Sequence, residues 1–339
     1  MYAIANLPQA HQIRCLVRNV HKAQPIIDAF PTVEIVKGDL DDSALIEQEA
    51  RAADAVFHLA STRHESSSRA IAAGLSDTSR KALGYWVQIS GASVFSASEI
   101  KANRYGEPGD KVYDDVKDVD EILDVIKSSP ARIVDNLVVS QDSSKIKTAL
   151  IFGPTFYGTG HGPIGKFSMQ CNNLTKYALE KGQTPMVGKG EAAWSNLHIH
   201  DLGKLFALLL QAAVDRRQGL WNEDGVYLPE NGSMVRTSFV VRDGANIIQR
   251  FGDISRHIAR ALHEQTLIQS DEVVSVSSED ADKIMGHGSV LLGTNAQLKS
   301  SRARRDLGWK PTAVSLEEDI PVMVRQEAER LKKYYSAAL

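Results

Sequence analysis

The sequence predicts an α/β fold, a doubly wound parallel sheet with helices on both faces, and two observations predict it. Short apolar runs rich in β-branched residues recur at 13–17, 33–36, 55–60, 85–95 and 147–152, and helix-like stretches alternate with them. Strands alternating with helices over such a distance imply parallel pairing. The composition agrees, because 339 residues with 43% hydrophobic and 24% charged residues are those of an ordinary globular chain with an ample core.

The elements are justified in order. Residues 1–7 read as the end of a helix stopped at Pro8, and 13–17 as a short strand closed by Arg18 and Asn19. A helix over 22–30 leads to the strand 33–36, then Lys37-Gly-Asp-Leu40 and a helix from about Asp42. The run 55–60 is a further strand, and 69–83 is a helix broken around Gly74. After the strand 85–95, helices are expected at 119–127 and 134–139, and a strand at 147–152 that ends in the sharp loop Gly153-Pro-Thr-Phe-Tyr-Gly158. A helix at 167–181 and a strand at 195–200 follow. Asp201 is then placed to cap the apolar helix 202–214. The last helices are 251–263 and 316–334, the latter with a capping box of Ser315 and Glu318. Residues 233–250 fit poorly and read as an insertion, with a hairpin turning at Asp243-Gly244.

Charge and cysteines narrow the function. A net charge of −3, with the basic residues scattered, argues against nucleic acid or an anionic membrane as the main partner. No run approaches the roughly 18 uninterrupted apolar residues that a membrane span requires, and no signal peptide is apparent. Cys15 and Cys171 lie far apart and form neither a disulfide framework nor a metal cluster, so a reducing, cytoplasmic setting is expected. His198 and His200 share a strand face, but no third ligand accompanies them and zinc needs three or four.

The chemistry-bearing stretch is 85–95 with the acidic segment after it. A buried strand opening into Ser90 and Ser93 ends in hydroxyls that can orient a substrate oxygen. A helix from about Tyr113 would put its phenol and the Lys117 ammonium on one face, four residues apart. The ammonium would then stabilise phenolate and bring the phenol towards general acid–base work on a carbon bearing oxygen. The same spacing recurs at Tyr177 and Lys181, and Asp114, Asp115, Asp118, Asp120 and Glu121 crowd the first pair, so a solvated helix face is the competing reading.

Taken in order, these segments resemble the extended short-chain dehydrogenase/reductase family, the NAD-dependent epimerase/dehydratase group. The resemblance rests on Lys37-Gly-Asp-Leu40, Val56-Phe-His-Leu-Ala60, the strand end from Ile89-Ser90 to Phe95, Gly153-Pro-Thr-Phe-Tyr-Gly158, Leu197-His-Ile-His-Asp201 and Arg305-Asp-Leu-Gly-Trp-Lys-Pro311. It implies a Rossmann-like sheet with a smaller C-terminal subdomain on the substrate side. Residues 1–160 would form the dinucleotide domain, completed by about 195–220, and 161–194 with 221–339 the substrate side. It implies an NAD(P)-dependent oxidoreductase or epimerase acting on a carbonyl or alcohol of a small molecule. Tyr113, Lys117 and Ser93 or Ser90 would be catalytic, and Arg18, Asp39, Leu40, His58, Leu59, Ala60, Pro154 and Thr155 would contact cofactor. Arg18 at the end of its strand favours NADP over NAD, where an acidic residue would be expected. The helices around Val119 and Val134 are where the family often pairs, which implies a homodimer.

Three departures qualify the resemblance. Gly38 is the first glycine of the chain, so the opening strand and Gly-rich phosphate turn are lacking, which predicts poor dinucleotide binding and a break in the sheet between 13–17 and 55–60. Gly91 stands where the family places its catalytic hydroxyl. On an extended strand Ser93 shares its face and Ser90 does not, which favours Ser93 unless the chain curls. The third departure is the insertion at 233–250. The alternative function is therefore a catalytically inactive module that binds a dinucleotide or a partner.

Overall fold

The computed structural model describes residues 1–19, 21, 23–231 and 250–337. Among the described residues the strands are β1 Ile13–Val17, β2 Val33–Lys37, β3 Ala55–His58, β4 Gly84–Gly91, β5 Val112–Asp114, β6 Ile146–Gly153, β7 Thr155–Tyr157, β8 Thr184–Val187, β9 Asn196–His198, β10 Val226–Tyr227, β11 Val273–Val276 and β12 Gln297–Lys299. The central sheet has the order β10-β6-β4-β3, and every paired strand in the five sheets runs parallel to its neighbour. The expected α/β class with a parallel sheet is what the chain forms.

Side chains of β4 alternate between two layers, as a pleated strand requires. Trp86 joins a core with Ile71, Leu75, Ile122, Ile126, Val134 and Val138 from the helices Glu65–Leu75, Val119–Lys127 and Ile133–Val139. Tyr85 and Val87 face the other way, with Ala149 and Ile151, against Leu205, Phe206 and Leu209 of the helix Ile199–Val214. Helices thus cover both faces.

The sheet breaks where the sequence places the break. Among the described residues β1 pairs only with β2 and β3 only with β4, so a two-stranded ribbon stands apart from the central sheet. The ribbon has its own small core of Val17, Ala23, Ile26, Phe30 and Val33.

Several elements differ from expectation, each for a local reason. The helix expected at 69–83 spans Glu65–Leu75, because His64 caps it by accepting from Ser67 N–H. Gly74 lies in its last turn, where a Cβ would collide with the Glu47 carbonyl oxygen. The strand expected at 85–95 stops at Gly91 and curls into a 3-10 turn over Ala92–Ser96. The Asp201 cap is a further correction. The helix starts at Ile199, its cap is His198, and the buried Asp201 carboxylate accepts from Thr312 and Ala313 N–H and from Lys204. The Ser315–Glu318 capping box forms as expected. β10, expected on the substrate side, extends the edge of the central sheet. The expected hairpin at Asp243-Gly244 lies outside the described residues.

Candidate active site at the ends of β3, β4 and β6

The helix expected to start near Tyr113 is instead strand β5, paired with β12 in the register Leu298 to Tyr113. This corrects the catalytic pairing, since Tyr113 lies on a strand that ends at Asp114 and Lys117 in the turn after it, so no helix face is shared by the two. The Tyr113 ring lies on Phe95 with centroids 4.5 Å apart. Its nearby cation is Lys111, whose ammonium sits 4.9 Å from the ring centre. Burial and then Glu121 raise the Tyr113 pKa, Lys111 acting the other way, so the phenol is a weaker acid than in water. Lys117 is exposed and lines a separate cavity. Neither side chain bonds Ser90 or Ser93 among the described residues.

Those two serines meet a different helix. β4 carries Ser90 on the same face as Trp86, and there its hydroxyl donates to Asp135 Oδ2 at 2.8 Å. The curl after Gly91 brings Ser93 round to the same helix, where its hydroxyl accepts from the Arg132 guanidinium at 2.8 Å. The alternation argument favouring Ser93 over Ser90 thus fails, because the strand has already ended. Arg132 and Asp135 are i and i+3 at the start of the helix Ile133–Val139, 3.7 Å apart. Four polar groups therefore converge at the carboxyl end of β4.

Burial sets the electrostatics of this cluster. It pushes the Asp135 carboxyl up to about 6, against the Ser90 hydrogen bond and Arg132, which favour the anion. It also lowers the Arg132 pKa, with Asp135 opposing and Arg63 reinforcing that shift. Asp135 Oδ1 is buried without a partner among the described residues.

A second network lies beside it on β3. His58 Nδ1 is 2.8 Å from Gln88 Oε1 and its Nε2 is 3.4 Å from the Ser67 hydroxyl. Gln88 also donates to the Ser61 carbonyl, tying the loop after β3 to β4. Burial lowers the His58 pKa, the bond to Gln88 opposing, which favours a neutral imidazole. Leu59 and Ala60 follow, both exposed at the strand end. On the far side of β4, β6 leads into the buried Pro154 and Thr155, and the Thr155 hydroxyl is buried without a partner. In the ribbon, Arg18 pairs with Asp39 at 3.6 Å, with an Arg18 side chain that is 83% exposed, and Leu40 is half-buried.

The residues thus fit a dinucleotide at its two ends and not in its middle. At one end buried oxygens of Asp135 and Thr155 lack partners among the described residues, and at the other the exposed Arg18 guanidinium is paired with Asp39. Glycine-lined backbone for a pyrophosphate is not supplied before Gly38. Sequence reasoning missed Arg132 and Asp135. Their signal was an Arg-x-x-Asp spacing at a helix start, obscured by the more familiar Tyr-x-x-x-Lys.

Two motifs turn out to be one structural clamp. Gly308 takes φ +64°, ending the helix Ser301–Asp306, and this swings the buried Trp309 indole to donate to the Asp201 carbonyl at 2.9 Å. Asp201 in turn holds the backbone of Thr312 and Ala313. The loop Gly153–Gly158 locks onto the same region, with the Tyr157 hydroxyl donating to the Val314 carbonyl. His161, unremarked in the sequence, stacks on His200 with centroids 3.7 Å apart.

No protein-family model matches the chain. It is 31% identical over 342 residues to a protein from Acremonium sp. named oxidase ucsJ, covering 98% of this chain and 94% of the relative. Among solved structures it is similar to a dTDP-glucose 4,6-dehydratase from Streptomyces venezuelae with NAD bound, at 16% identity and a TM-score of 0.61, covering 95% of this chain and 89% of that one. It is likewise similar to a UDP-glucuronic acid 4-epimerase from Bacillus cereus in complex with NAD, at 14% identity and a TM-score of 0.62, covering 97% and 94%. With motif order, parallel architecture and a relative matched along nearly its whole length, the chain belongs to the extended short-chain dehydrogenase/reductase family, the NAD-dependent epimerase/dehydratase group.

Proposed function

We propose that the chain is an NAD(P)-dependent oxidoreductase acting on a carbonyl or alcohol carbon of a small molecule, with Ser90 and Asp135 moving the proton. The observation that carries this reading is the 2.8 Å bond from the Ser90 hydroxyl to a buried carboxyl held at about 6. A group titrating near neutrality and joined to a hydroxyl at a strand end is suited to general acid–base work. Ser90 orients the substrate oxygen and relays its proton to or from Asp135. Arg132, through Ser93, supplies positive charge beside that oxygen when it carries an anion.

A bound nicotinamide cofactor would supply the hydride when reduced or take it up when oxidised. His58, Leu59 and Ala60 would line its path along β3, and Pro154 and Thr155 would meet its nicotinamide end. Arg18 favours the 2′-phosphate of NADP, Asp39 and Leu40 the adenine. Lacking a glycine turn for the pyrophosphate, residues 1–339 are expected to hold it weakly. The substrate side is proposed to comprise 161–194 and the part of 221–339 that follows β10, with a homodimer formed through the exposed sides of the helices Val119–Lys127 and Ile133–Val139. The free thiols of Cys15 and Cys171 suit a cytoplasmic setting.

The test is NADPH oxidation over a panel of aldehydes, ketones and sugar nucleotides. Turnover should fall roughly 10²–10⁴-fold in Ser90→Ala and in Asp135→Asn. A wild-type rate matched by both variants would remove the pair from the mechanism. A second reading, a dinucleotide-binding module without turnover, is favoured by Gly91 at the hydroxyl position and by the displaced Tyr113. NADPH binding with no turnover anywhere on the panel would select it.

A further inference from the structure

The side chains of Lys117, Lys299, Arg304 and Arg305 converge on one cavity of about 560 Å³, also lined by Val116, Glu230, Ser300 and Ser301. Four cations thus face one carboxylate, in a protein whose net charge is −3. Most of these cations have an acidic neighbour. Lys299 lies 3.5 Å from Asp114, Arg304 3.0 Å from Glu230 and Arg305 2.6 Å from Asp306. The Lys117 ammonium bonds no group among the described residues. Ser300 is fully buried, and its hydroxyl has no partner among the described residues.

The walls are held rigidly. Asp114 accepts from Val116 and Lys117 N–H and from the Ser301 hydroxyl. The buried Asp115 accepts from Ser301, Arg302 and Leu228 N–H. These two neighbours on one short segment therefore stitch it to the start of the helix Ser301–Asp306, nearly 190 residues away along the chain. A cavity fixed this way loses little conformational entropy when filled. Its volume lies in the usual range for small-molecule sites. A concave cluster of ammonium and guanidinium groups with hydroxyls is chemically matched to compact, multiply charged phosphoryl oxygens.

We propose that this cavity binds a phosphorylated small molecule, its diphosphate or equivalent group lying among Lys117, Lys299 and Arg305. The site shares no residue with the Ser90–Asp135 cluster, so it stands whether or not that cluster is catalytic. A diphosphate has two sources, inorganic pyrophosphate and a nucleoside diphosphate, and the experiment separates them.

The test is isothermal titration calorimetry of the full chain with pyrophosphate and with ADP at low salt. Saturable binding of at least one is expected, weakened at least tenfold in Lys117→Ala/Arg305→Ala and unchanged in Ser90→Ala. Both substituted cations are largely solvent-facing, and an unaltered melting temperature checks that the double variant folds. Should it not fold, Lys117→Glu alone should give the same loss. ADP binding more than tenfold tighter than pyrophosphate would assign the space to an organic phosphate, and equal affinities to the inorganic group. No saturable heat up to about 5 mM with either probe, wild-type affinity in the cavity variants, or a loss confined to Ser90→Ala would overturn the proposal.

Discussion

Asp135 is pulled in two directions, since burial opposes its charge while Ser90 and Arg132 favour it, and burial wins. Its carboxyl is raised from 3.8 to about 6 on folding. Folded protein then holds this proton more tightly than unfolded chain. The stabilising contribution is complete below the unfolded value and is lost as pH rises through the folded one, by on the order of 3 kcal/mol. Urea unfolding should therefore show Asp135→Asn gaining stability relative to wild type as pH rises from about 4 to about 7. A constant difference between the two proteins would contradict the buried, raised carboxyl. The same group should govern the rate, with kcat/KM for oxidation of an alcohol to a carbonyl rising through an apparent pKa near 6 as the carboxylate forms and losing that limb in Asp135→Asn. Tyr113→Phe, by contrast, should leave turnover within about threefold, because its phenol lies on Phe95 with its pKa raised. Ser90 and Ser93 were legible as hydroxyls at a strand end. Arg132 and Asp135 were not, because nothing in the sequence states which helix start the curl after Gly91 will meet.

At the scale of elements, what was legible follows from how local the cause is. The strands at 13–17 and 33–37 and the helix Val119–Lys127 carry their own hydrophobic pattern and were readable within a residue. β5 has three residues and exists through its pairing with β12, so its cause lies far along the chain. A Tyr-x-x-x-Lys spacing imposed on it a helix that acidic neighbours alone could not forbid. The Leu-Gly-Trp-x-Pro segment was recognisable as a motif, and its physics appears only in the fold, where the Trp309 indole donates to the Asp201 carbonyl and the Asp201 carboxylate accepts from Thr312 N–H. Gly308→Ala should cost about 1–2 kcal/mol through its left-handed backbone, and Trp309→Ala about 3–5 kcal/mol through loss of a buried ring. Thermal or chemical unfolding measures both. Near-neutral effects would mean that the clamp is not a stabilising element.

On the scale of the whole molecule, the break between β1 and β3 divides the α/β body into a ribbon with a small core and a central sheet covered on both faces. Native-state hydrogen exchange should find β1 and β2 amides opening at lower free energy than those of β4 and β6. Equal protection would mean that the two parts unfold as one. The break itself was legible, because residues 1–12 carry a helix-like run stopped at Pro8 and offer no strand pattern to lie between 13–17 and 55–60. The same break makes cofactor binding the most exposed part of the account. Fluorescence titration with NADPH tests it most directly, using wild type beside Thr155→Val and Arg18→Ala. Saturable binding to wild type, weakened severalfold by each substitution, is the predicted result. No saturable binding, or identical affinities in all three proteins, would contradict a nicotinamide cofactor lying between the ribbon and the Ser90–Asp135 cluster.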